Sequence, residues 1–338
     1  MSDSDRLYRF LLDPEEVPRG LDLVVALTGY SDAGGASGQF LDYAREQIDS
    51  EPLAIFENDR LLDYRARRPV VTFDEDHLTD YTPARLQLSL AADDLSQPFL
   101  LLTGYEPDFR WEEFIESVLT LIDRLGVART TWVHAIPMPV PHTRPLGVTV
   151  SGNRAELIES LSVWRPRTQL PANVLHLLEY RLAERGDEVA GLALLTPHYL
   201  ADTQYPDVVV TAIDSIAAAT GLILPTDELR AAGREFLVRI NEQIGGNDEL
   251  GRLVSTLEER YDTYMEENSP RMPFTDADGE LPSADEIAAE LESFLAGQPE
   301  VTGLGSGGEP EYRRPEFPPA EDTLPETPRP DTPTDPAP

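Results

Sequence analysis

The 338-residue chain carries 62 acidic residues against 27 basic ones, for a formal charge of −35, and it has no cysteine. This composition excludes disulfides, thiolate metal sites and a cysteine nucleophile, and it argues against nucleic acid as a partner, because phosphate contacts need a basic surface. All 27 cations are arginine, which also excludes lysine Schiff-base chemistry and a P-loop lysine.

Residues 21–28 (LDLVVALT) form a near-continuous apolar run that ends in GYSDAGG, with helical spacing over 36–48. This is a buried strand, a Gly-rich turn and a helix, the opening of an α/β unit. Further apolar runs predict strands at 53–56, 70–73, 86–90, 99–103, 130–136, 148–151 and 189–196. Helical patterns lie at 111–125, 154–161, 172–184 and 208–219, and Gly221 stops the last. The alternation predicts a mostly parallel sheet covered on both faces, while the hairpin-like stretch 53–90 adds antiparallel strands, so the sheet is expected to be mixed.

After Pro225 the pattern is helical only, at 227–244 and 248–267, and Gly245-Gly246-Asn247 separates the two. A short helix with a capping box is expected from Ser283. From Pro299 onward, eleven prolines and nine acidic residues in forty predict a disordered tail. The expected organisation is an α/β domain over 1–225, a helical region over 226–298 and the tail over 299–338. The polar start MSDSDRLYRF and the absence of a run of ~18 apolar residues lead us to expect a cytoplasmic protein with no membrane partner.

Four loops collect the candidate site residues. GYSDAGGA (29–36) follows the first strand; Gly34 could let a ligand approach the next helix, while Asp32 could equally cap that helix. DYRARRP (63–69) offers Arg65 and Arg68 either to an anion or to neighbouring acids. GYEPDFRW (104–111) sets Glu106, Asp108, Arg110 and Trp111 at the sheet rim, as an acid/base pair beside an indole or as a cap, with an Arg110–Glu106 pair and a packed tryptophan. PHTRP (141–145) holds His142 and Arg144 on a proline-stiffened loop suited to proton transfer, anion binding or a contact surface. No histidine spacing suggests a metal, no cofactor motif occurs, and no GxSxG elbow, P-loop or kinase signature is present.

In that order and spacing the four motifs resemble the bacterial branch of the proteasome assembly chaperone 2 family, over roughly residues 7–267. The resemblance implies a three-layer α/β/α sandwich similar to nucleoside phosphorylases and related hydrolases, assembled into a small homo-oligomer, with a trimer as the guessed size. It also implies a chaperone-like, non-enzymatic role with protein partners, proteasome subunits among them. Some family members bind the proteasome core through a C-terminal hydrophobic-Tyr-any-residue tail; this chain ends in Asp335-Pro336-Ala337-Pro338 and differs from it. The alternative is a phosphorylase- or hydrolase-like enzyme for a small polar substrate, with Asp32, Glu106, Arg110, His142 and Arg144 at its site. Convergence of those five on one pocket would favour the enzyme, and pairing with their own surroundings would favour the binding protein.

Overall fold

The computed structural model describes residues 7–268, with side chains to residue 266. Strand β2 (Asp22–Thr28) sends Leu23, Val25 and Leu27 into one apolar cluster and Val24 and Ala26 into another. Successive side chains of a strand point to opposite faces, so an unbroken apolar run fits a strand covered on both. Beside it run β7 (Pro98–Tyr105), β8 (Arg129–Met138) and β10 (Glu188–Pro197), which with β2 form a parallel centre.

Antiparallel strands flank this centre. On one side lie β6 (Gln87–Ala92), β3 (Asp49–Phe56) and β1 (Tyr8–Phe10), and on the other β9 (Gly147–Gly152). The eight-stranded order is β1-β3-β6-β7-β2-β8-β10-β9. The mixed sheet agrees with the sequence reading. Strand β1 was not expected, because three residues carry too little alternation to register.

Helices α1 (Ala36–Gln47), α4 (Ala155–Leu161) and α6 (Pro206–Thr220) cover one face through Phe40, Leu157 and Ile213. On the other face, α3 (Trp111–Leu125) and α5 (Val174–Arg185) contribute Phe114, Val118, Leu178 and Leu182. The result is an α/β/α sandwich of three layers. A short helix α2 (Asn58–Leu61) leads to the hairpin β4 (Val70–Asp74) and β5 (His77–Thr82), which forms a separate two-stranded sheet instead of joining the main one. Val70, Phe73, Leu78 and Tyr81 on this hairpin are exposed.

Two further helices follow, α7 (Asp227–Gly245) and α8 (Asp248–Asn268). Between them the Asn247 side chain accepts the N–H groups of Glu249 and Leu250, capping α8 as the sequence suggests. Phe236 of α7 stacks on Tyr205 with ring centroids 5.1 Å apart. Gly233 of α7 leaves room for the Asp207 carboxylate of α6, which a Cβ there would displace. The expected helix from Ser283 and the tail from Pro299 lie outside the described residues.

Candidate functional site

The parallel strands end on one rim, where ligands tend to bind in α/β sheets. Directly after β2, Asp32 accepts the N–H groups of Ser37 and Gly38 at 2.6 and 3.1 Å. Its carboxylate therefore satisfies the start of α1, the capping role weighed against a ligand role in the sequence. Gly34 is buried with φ of 72°, a left-handed conformation that glycine adopts freely. Its N–H donates to the carbonyl of Ala201, and its own carbonyl accepts the N–H of Tyr205.

At the end of β7, the carboxylate of Glu106 is buried and accepts two backbone N–H groups. Oε2 takes that of Tyr30 at 3.1 Å, and Oε1 takes that of Val174, the first residue of α5, at 2.8 Å. A Cβ at Gly29 would collide with this carboxylate, so the glycine of the β2 loop makes room for it. One acidic side chain thus ties the β2 loop to a helix in the opposite layer. The cavity beside it measures about 10 Å³, room for a single water.

Asp108 does not cap α3. Its Oδ2 accepts the N–H of Asp63 at 2.7 Å, and its Oδ1 pairs with Arg67 at 2.7 Å. Arg67 also donates to the Glu106 carbonyl at 2.8 Å, so it is this arginine that faces inward while Arg65 and Arg68 are exposed. Three arginines in four positions gave no sign of which one would turn in. Arg110 is a further departure from the sequence reading: it sits at φ of 59° before α3 and pairs with Glu113 at 2.8 Å, not with Glu106. Trp111 donates its indole N–H to the Pro107 carbonyl at 2.6 Å.

His142 and Arg144 belong to a different region. The backbone N–H of His142 donates to the Tyr199 hydroxyl at 2.8 Å, and its ring nitrogens meet Tyr199 at 2.7 Å and Asn241 of α7 at 3.1 Å. Arg144 forms a fork on Asp262 of α8 at 2.7 and 2.6 Å and reaches Glu258 at 3.5 Å. Its hydrogen bonds hold the Asp262 carboxyl below the usual carboxylate range. Thr143 adds a bond to Glu258, and Tyr261 donates to the Pro145 carbonyl at 3.1 Å. The PHTRP loop is thus a docking strip for α7 and α8. Beside it lies a cleft of about 710 Å³, lined by His142, Arg144, Tyr205, Asp207, Arg230 and Arg234 among others.

The five residues of the enzyme alternative do not converge. His142 and Arg144 line the larger cleft, Glu106 lines the water-sized one, and Asp32 and Arg110 line neither. Each is held by partners within its own chain. Among the described residues, no group of three or more histidines or carboxylates could hold a metal ion.

Some polar residues near the rim were not singled out from the sequence. Trp132 and His134 of β8 pack against His176 of α5, and Trp132 donates its indole N–H to Glu179 at 2.7 Å. Burial lowers the His134 pKa to about 3 and raises that of Glu179 against its hydrogen bonds from Ser151 and Trp132. Trp132 and His134 lie far from His176 and Glu179 in the chain, so only the fold brings the two pairs together.

The comparisons with known proteins agree with this architecture. A model described as the PAC2 family matches residues 26–244. No curated protein matches the sequence. Among solved structures, a Corynebacterium glutamicum protein of unknown function is 35% identical, covering 78% of this chain and 99% of its own length with a TM-score of 0.75. A Mycobacterium tuberculosis protein of unknown function is 39% identical, covering 77% of this chain and 92% of its own, with a TM-score of 0.71. A second M. tuberculosis protein, described as a proteasome-assembly chaperone homologue, is 22% identical over 69% of this chain and 100% of its own, with a TM-score of 0.63, a likeness of fold.

Proposed function

Because this chain belongs to the PAC2 family, we propose that it works as a chaperone-like assembly or protein-binding factor and not as an enzyme. The observation that carries the reading is the pairing of the candidate side chains: Asp32 and Glu106 bind backbone N–H groups, and Arg144 binds Asp262. A catalytic constellation needs groups converging on one reacting atom, and this geometry spends them on holding loops and helices together. The phosphorylase- or hydrolase-like alternative has no such convergence in its favour.

In this reading the partners are proteins, with proteasome subunits as the first candidates, after the chaperone homologue of the same fold. The protein works in the cytoplasm as a homo-oligomer, with a trimer as the starting guess. No helix among the described residues is long and apolar enough to cross a membrane. The helices α7 and α8 act as a helical region appended to the α/β body. Affinity capture of the tagged protein from its own cells, read by mass spectrometry, tests the proposal. Enrichment of proteasome subunits or their precursors over an equally acidic control is the expected result, and recovery of self-associated chain alone would overturn the partner assignment.

A further inference from the structure

The ring cluster of Trp132, His134 and His176 sits between the sheet and the first turn of α5. Centroids lie 4.9 Å apart for Trp132 and His134, 5.3 Å for the two histidines and 5.1 Å for Trp132 and His176. His176 also closes a capping box: Asn173 accepts its backbone N–H at 2.9 Å, and its Nδ1 accepts the N–H of Asn173 at 3.1 Å. The bond to Nδ1 requires a neutral ring with its proton on Nε2. Immediately before the cap, residues 165–172 are exposed and have no helix or strand.

We infer that this cluster is an acid-sensitive latch, in which protonation of His176 and His134 releases the first turn of α5 together with the segment 165–172. A proton on His176 Nδ1 turns an acceptor into a donor that faces another donor, which breaks half of the capping box. His134 is buried and has no hydrogen-bond partner among the described residues, and a proton there repels one on His176. The inference goes beyond the chaperone-like reading and does not depend on it.

The neighbouring charges set the direction. Glu106, bound to Val174 and Tyr30, favours a charged His176 and so moderates its shift, while burial lowers both histidines. Glu179, one turn along α5, faces Trp132 and Ser151, and burial raises its carboxyl pKa against the hydrogen bonds from both. A histidine with a depressed folded pKa binds a proton more readily when the turn is open. The closed turn is therefore fully favoured above the ordinary value of about 6.5 and loses ground as pH falls below it. One strongly shifted histidine raises the open population roughly twentyfold between about pH 7 and pH 5.

Amide hydrogen exchange on the full chain, corrected for the intrinsic effect of pH, tests the latch at Val174 and His176. The expected result is a rise in opening of roughly twentyfold between those two pH values, with α3 unchanged as the internal control. The double variant His134→Phe/His176→Gln keeps a ring and a capping side chain but cannot titrate, so its slope should be nearly flat. Should that variant fail to fold, His134→Phe alone is expected to lose a large part of the slope. Opening that ignores pH in the wild type, a parallel rise in α3, or a full slope in the variants would each overturn the inference.

Discussion

Glu106 and Asp262 both fasten an element to the sheet, and they do so by opposite chemistry. Glu106 is buried and binds two backbone N–H groups from separate segments, whereas Asp262 is part-exposed and binds one arginine side chain. Removing Glu106 leaves two N–H groups unpaired, that of Val174 buried and that of Tyr30 part-buried, while an exposed ion pair exchanges its partner for solvent. The rim of the sheet is therefore expected to be stiff and intolerant of change, and the attachment of α7 and α8 to be adjustable and sensitive to salt.

The largest effect should come from Glu106→Ala, which orphans the N–H groups of Tyr30 and Val174. A loss of about 2–4 kcal/mol in chemical denaturation is expected, and a change within error would show that water replaces the carboxylate and that the contrast fails. Next is Gly233→Ala, whose methyl group displaces the Asp207 carboxylate from its place against α7. It should cost about 1 kcal/mol, the helix preference of alanine offsetting part of the clash, and raise hydrogen exchange in α7 more than in α3. The smallest effect should follow Arg144→Ala: global stability barely moves, but exchange in α8 rises and loses its dependence on salt. If α8 in the wild type is itself insensitive to salt, apolar packing and not the ion pairs holds the two helices.

Much of the layered body was legible, because its signals are local. The apolar run of β2, the amphipathic spacing of α3 and the Gly-Gly-Asn break between α7 and α8 each sit within a short window. The partners of the candidate residues were less legible. Glu106 binds backbone N–H groups, which every residue but proline carries, so no sequence pattern marks them. Arg67 differs from Arg65 and Arg68 only in the direction the loop turns. His134 and His176 meet because β8 and α5 pack, with 41 residues between them in the chain. The hairpin β4–β5 has the composition of a strand pair, but composition does not say which sheet a pair will join.

The strand order also bears on how the chain comes to be made. Central β2 pairs with β7 and β8, and Asp22 meets Arg129 across 107 positions of sequence. At ~5–20 residues per second of synthesis, its most apolar strand waits roughly 5–20 s for the second neighbour to leave the ribosome. Its closing contacts are long-range, which slows folding and prolongs exposure of the apolar run. During that interval the nascent chain would itself be a client for the cell's folding helpers.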